Sequence, residues 1–153
     1  MSTRKLKVSA INNGTVIDHI LPGKAYAVVK ILHLEKYNET VTIASNVCSG
    51  KTERKDIVKI ENRALSAEEV SSIALISPEA TVNIIKNYDV IEKGKIALPE
   101  RFESIIPCTN PLCITNHEKV RTRFKIMEKT PLLIRCEYCE RTMDEKDVEK
   151  VLG

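Results

Sequence analysis

The chain has 153 residues, of which 42% are hydrophobic and 29% charged, with a net charge of +3. Such proportions exclude wholesale disorder and fit one large domain or two small ones. No apolar run reaches the roughly 18 residues of a membrane span, and Met1-Ser2-Thr3-Arg4-Lys5 does not open a secretory leader, so a cytoplasmic protein with no membrane partner is expected.

In chain order, Leu6, Val8 and Ala10 alternate with polar residues, so 4–11 reads as a strand. Asn13-Gly14 is a turn signal, and Thr15–Leu21 follows as an extended run. Pro22-Gly23 opens a helix with Ala25, Val28, Val29 and Leu32 on one face, and His33 closes it as a surface residue. Thr40–Ser45 and Asp56–Glu61 read as strands joined by a polar loop, Asn46–Lys55. Ser66-Ala67-Glu68-Glu69 is a capping box that starts a second helix. Thr81–Lys86 and Tyr88–Glu92 form a last pair of strands around Asn87. The order β-β-α-β-β-α-β-β predicts a ferredoxin-like α/β sandwich, an α+β fold with two helices on one face of the sheet. Leu98-Pro99 marks a boundary, because proline pushes its predecessor out of helical geometry. The expected domains are 1–97 and 98–153.

Cysteines divide these domains. Residues 1–97 hold Cys48 alone, whereas 98–153 hold Cys108-x4-Cys113-x22-Cys136-x2-Cys139. Four thiolates in two short pairs suit a structural zinc ion, one per chain, in a closed tetrahedral shell. Thr122–Met127 and Leu132–Cys136 read as strands between the pairs, giving a small β-rich module that metal binding helps to fold. Disulfides and iron–sulfur ligation compete for the same spacing. His117 is expected at the surface, since four cysteines already fill the shell. Cys48, with no neighbouring base in the sequence, reads as a small half-buried residue.

Catalytic motifs are missing. The five glycines form neither a dinucleotide-binding nor a phosphate-loop pattern, there is no G-x-S-x-G elbow, and the three histidines fall in separate elements. Arg121, Arg123 and Lys125 alternate as a nucleic-acid-binding zinc ribbon would require, but Glu118, Glu128, Glu137 and Glu140 lie close by and cancel their charge. Composition shows no Trp and no Gln beside 16 Lys and 16 Glu, a bias shared by hyperthermophile proteins and AT-rich genomes.

Specific strings carry the reading further. Gly14-Thr15-Val16-Ile17-Asp18-His19-Ile20, Arg54 through Asn62, Ala80-Thr81-Val82-Asn83 with Asn87-Tyr88-Asp89-Val90, Leu98-Pro99-Glu100-Arg101 and the cysteine spacing occur in series. Together they resemble the aspartate carbamoyltransferase regulatory chain family. The resemblance implies a non-catalytic subunit of pyrimidine biosynthesis, in which CTP typically inhibits and ATP typically activates. It implies that regulatory chains pair as a homodimer and that the zinc domain docks on a catalytic chain. Three such dimers would bridge two catalytic trimers. Carried over by position, the effector pocket comprises Ala10, Ile11, Val16, Asp18, His19, Lys59, Asn83, Tyr88, Val90 and Lys93. Lys93 and His19 would meet a triphosphate, and Asp18 and Lys59 ribose hydroxyls. Backbone groups near Ile11 and Tyr88–Val90 would read the base, with Val16 on its face. Asn110, Glu140 and Arg141 would contact the catalytic chain. Two positions depart from the family: Glu92 puts an acid beside Lys93, and Leu112 stands where a polar asparagine can occur.

Overall fold

A computed structural model describes residues 10–50 and 52–152. Five antiparallel strands form the first sheet: β1 (Gly14–Ile20), β2 (Val41–Cys48), β3 (Arg54–Glu61), β4 (Thr81–Lys86) and β5 (Asp89–Lys95). Their spatial order is β2-β3-β1-β4-β5. Helix α1 (Ala25–Ile31) follows β1 and helix α2 (Ala67–Ile76) follows β3. The first six of these elements give the split βαβ, ferredoxin-like arrangement, and β5 extends it as an edge hairpin. The strand expected over 4–11 falls outside the described residues except for Ala10 and Ile11, which belong to no strand.

Alternation explains which face is buried. Thr15 and Ile17 on β1, and Asp56, Val58 and Ile60 on β3, turn toward α1 and α2 and are buried, packing with Val28, Leu32, Ile73 and Leu75. Each such aliphatic contributes roughly 1.5–3 kcal/mol by leaving water. A bulge breaks the alternation in β1: the register with β3 shifts between Ile17 and Ile20, and His19 is left-handed at φ 56°. One inserted residue lets both Ile17 and Ile20 point inward while Asp18 stays on the opposite face. A second bulge lies between Ala44 and Val47, where Asn46 has φ 59°. It carries β2 and β3 well into the stretch read as a polar loop, because the bulged strand goes on pairing as far as Cys48 with Arg54. Gly14 has φ 142°, and a side chain there would meet the Ile60 carbonyl at 2.1 Å, so no other residue fits.

Helix α2 begins at Ser66, whose hydroxyl accepts the Glu69 N–H while Glu69 accepts the Ser66 N–H, as the capping box requires. Between β4 and β5, Asn87 and Tyr88 form a two-residue turn with φ 50° and 67°, the mirror-image turn that suits strand twist.

The second sheet has the order β6-β7-β8-β9, built from β6 (Arg101–Glu103), β7 (Arg123–Glu128), β8 (Leu133–Cys136) and β9 (Thr142–Asp144), and is followed by α3 (Glu145–Val151). Phe102 and Phe124 stack at its centre with ring centroids 5.3 Å apart. Asp144 caps α3, paired reciprocally with Asp147. One apolar cluster takes in residues of both sheets, with Leu32 lying beside Ile105 and Ile76 beside Leu132. Among the described residues no helix is long and apolar enough to cross a membrane.

Candidate functional site: a sheet-face cleft and a four-cysteine centre

The face of the first sheet away from the helices carries a straight row of side chains. Lys59 pairs with Val16 across β3 and β1, Val16 with Asn83 across β1 and β4, and Asn83 with Lys93 across β4 and β5. Around this row lies an open cleft of about 310 Å³. Nine of the ten expected pocket residues line it: Ala10, Ile11, Val16, Asp18, Lys59, Asn83, Tyr88, Val90 and Lys93. The tenth, His19, does not. The bulge turns it into an adjoining recess with Thr81, Gly94 and Lys95, which shares Asp18, Asn83 and Lys93 with the main cleft. There the His19 ring nitrogen Nδ1 lies 3.1 Å from the Thr81 hydroxyl.

Ile57 and Ile85, outside the expected set, also line the cleft. Strand alternation points to them, since each lies two residues from a lining residue, Lys59 and Asn83. One end of the cleft is closed by the turn. The Tyr88 N–H donates to the Asn12 carbonyl at 2.9 Å, which brings Ile11 and Tyr88 together. Glu92 opposes Ile84, not Asn83, so it belongs to the opposite face from Lys93. The acid expected beside that lysine is thus kept away from it.

Two lysines, Lys59 and Lys93, and one carboxylate, Asp18, line the cleft. Burial lowers the pKa of Lys59, and the Asp18 carboxylate opposes that shift. Asp18 is itself bridged by the Lys55 ammonium at 2.9 Å. Lys93 is exposed at the rim.

In the second module the Sγ atoms of Cys108, Cys113, Cys136 and Cys139 all lie within 4.8 Å of one another. The pairs Cys108–Cys139 and Cys113–Cys136 are each 3.7 Å apart. A tetrahedron with metal–sulfur bonds of about 2.3 Å has edges of about 3.8 Å, so these thiols fit a four-coordinate ion. They are free cysteines, not disulfides. Burial pushes the Cys108 thiol up to about 12 and raises Cys136 as well. Burial acts the same way on Cys139, but hydrogen bonds from the Asn110 side chain, the Arg141 backbone and the neighbouring thiols outweigh it and bring that pKa down to about 7. His117 is exposed and its Nε2 faces the Pro111 carbonyl at 2.7 Å, outside the cysteine shell.

The residues expected at an interface surround this centre. Asn110 braces its own loop, its Oδ1 accepting the Leu112 N–H at 3.0 Å. Glu140 is left-handed at φ 64° and closes the second cysteine turn, and Arg141 is exposed beside it. Leu112 is 83% exposed on the first loop. Of the alternating cations Arg121, Arg123 and Lys125, Arg123 is paired with Glu103 at 3.1 Å, and Arg101 on the adjoining strand is paired with Glu137 at 2.9 Å. Cys48 is exposed, not half-buried, because it ends the edge strand β2, where the Arg54 guanidinium donates to its sulfur at 2.9 Å.

The fold and these two sites define a two-module chain: an open antiparallel sheet bearing a cleft, and a metal-binding module built on four cysteines. Residues 6–97 match the allosteric domain of the aspartate carbamoyltransferase regulatory chain, and residues 100–149 match its metal binding domain. The chain is 56% identical over 146 residues to the aspartate carbamoyltransferase regulatory chain of Pyrococcus horikoshii, an alignment covering 94% of this chain and 96% of that relative. It is 55% identical over 146 residues to that of Pyrococcus abyssi, with the same coverage. For the Methanococcus maripaludis relative the identity is 52% over 147 residues, covering 96% and 99%. The chain belongs to the aspartate carbamoyltransferase regulatory chain family. Proteins of this family are non-catalytic subunits, in agreement with what the resemblance implies.

Proposed function

We propose that this chain binds nucleotide effectors of the CTP and ATP type in the sheet-face cleft and transmits their presence to the catalytic chain of aspartate carbamoyltransferase, controlling the first committed step of pyrimidine biosynthesis in the cytoplasm. The observation that carries this reading is the cross-strand row Lys59–Val16–Asn83–Lys93 within one cleft. It sets two cations at either side of an apolar contact and an amide. That pattern suits a ligand with a flat base, a hydroxylated sugar and an anionic tail. Lys93, with His19 in the adjoining recess, takes the phosphates; Asp18 and Lys59 take the ribose hydroxyls.

The second module, over 98–153, holds one structural zinc ion through Cys108, Cys113, Cys136 and Cys139. Its 3.7 Å sulfur separations support zinc–thiolate ligation. The loops carrying Asn110, Leu112, Glu140 and Arg141 form the surface for the catalytic chain, and the module over 1–97 pairs with a second copy. The ion pairs of Arg101 and Arg123 within the module and the small net charge support a protein partner over a nucleic acid.

Titration calorimetry with CTP, ATP and cytidine tests the effector site. Lys93→Ala should weaken CTP by about ten- to hundredfold, the equivalent of roughly 1.5–3 kcal/mol for a charge-assisted bond, and leave cytidine nearly unchanged. Equal losses for both ligands would remove Lys93 from the phosphate site.

A further inference from the structure

Two modules joined by a single short segment need a mechanical connection if a ligand on one is to be felt by the other. At their junction Lys24, half-buried at the start of α1, reaches two carboxylates of α3. Its Nζ lies 2.9 Å from Glu145 and also pairs closely with Glu149. Burial works against the ammonium, but the hydrogen bonds and charges of the two glutamates overcome it and hold the Lys24 pKa above its ordinary value.

On the side of the first sheet, no slack separates this pair from the cleft. Lys24 lies five residues after His19, and the intervening backbone is held at every turn. The Leu21 N–H donates to the Ser77 hydroxyl at 3.1 Å, and the Lys24 N–H to the Leu21 carbonyl at 3.0 Å. The Gly23 and Ala25 N–H groups both donate to Asp56 Oδ2, at 2.9 and 3.1 Å. Asp56 adjoins Lys55, the partner of the cleft residue Asp18. A ligand that shifts Asp18 or Lys55 therefore acts on the start of α1 along β1 and again through Asp56.

The same tightness holds on the other side. Glu145 follows directly on β9, whose residues Thr142–Asp144 pair with Leu133–Arg135 of β8, and β8 ends at the buried Cys136. At the far end of α1, Leu32 and Tyr37 face Ser104 and Ile105 across an open cleft of about 370 Å³. The ion pairs thus tie the start of α1 to α3, while its far end meets the second module through the apolar contacts around Leu32 and Ile105.

We propose that Lys24, held between Glu145 and Glu149, is an ionic latch through which occupancy of the sheet-face cleft reaches the four-cysteine module. The proposal rests on the nucleotide reading given above, and its test separates the two. The full chain, assembled with its catalytic chain, is compared with Lys24→Met and with a charge-reversed variant carrying Lys24→Glu, Glu145→Lys and Glu149→Lys. CTP and ATP binding is measured directly by calorimetry, and carbamoyltransferase activity is measured with and without each nucleotide. Allosteric couplings typically span about 5- to 150-fold. Lys24→Met should bind CTP within about twofold of the parent, yet lose most of the nucleotide's effect on activity, and the charge-reversed chain should regain it. A Lys24→Met enzyme that responds as strongly as the parent overturns the latch and leaves the nucleotide site standing. Loss of CTP binding in Lys24→Met also overturns it, since Lys24 would then act on the cleft itself. A parent chain that binds neither nucleotide overturns the nucleotide reading and the latch with it. Failure of the reversed variant to regain the response, while folded and binding CTP, overturns the ion pair as the transmitting contact.

Discussion

Asp56 Oδ1 on β3 accepts the backbone N–H of Asn46 at 2.7 Å, at the bulge within β2. With its other oxygen on Gly23 and Ala25, this fully buried carboxylate satisfies three backbone donors that the bulge and the helix start leave open. Asp56→Ala strands all three. It should cost about 3 kcal/mol or more, a fall in Tm of roughly 6–12 °C for a chain of this size. Thermal unfolding followed by circular dichroism measures it, and a shift below 2 °C would show that water replaces the carboxylate.

Lys59 gives a prediction of the opposite sign. Burial lowers its pKa below 10.5 in the folded chain, so the unfolded chain binds its proton more readily and the charged lysine costs stability at neutral pH. The cost disappears as pH rises through the lowered folded value toward the unfolded one. Lys59→Met should therefore raise the Tm of the unliganded chain at pH 7 by about 1–3 °C, an advantage that shrinks toward pH 11. The same variant should weaken CTP and cytidine alike. A Tm gain that does not vary with pH would trace the effect to packing and not to charge.

Metal removal tests the independence of the modules. The sheet over residues 14–95 contains none of the four clustered cysteines, whereas the loops at 108–113 and 136–139 are organised around them. Treatment of the assembled enzyme with a mercurial should release about one zinc per chain and free the catalytic chain. CTP binding and pairing of regulatory chains should persist. Sizing chromatography with zinc and CTP measured in each fraction decides the matter. A catalytic chain that stays bound after zinc is gone would move docking away from the cysteine loops.

The sequence was most readable where one period governed a segment. Thr81–Lys86 is a strand with the bounds its alternation indicates, and the Ser66 box starts α2 where expected. It was less readable where a bulge changed the phase. Asn46 made a polar stretch look like a loop, although the strands pair through it. His19 sits among pocket residues in the sequence, but the bulge turns it aside into the adjoining recess. The three-residue strand β9 and helix α3 left no periodic trace of their own; β9 exists because β8 offers it a partner, and α3 announces itself only in the Asp144–Asp147 capping pair. In the cleft, the cations were reached by resemblance, and Ile57 and Ile85 were accessible from spacing alone.

Alternation along the stretches between the bulges has a consequence for how such a chain can diversify. On β1, β3 and β4 the residues that meet the cleft are neighbours of residues that pack on α1 and α2, yet the two sets never share a side of the sheet. Exchanging Val16, Ile57 or Asn83 recasts the lining while Ile17, Val58 and the core they join stay in place. The lining can thereby be rewritten while the packing beneath it stays intact, so that a change of cleft residue touches stability only through that residue's own burial and charge, as at Lys59.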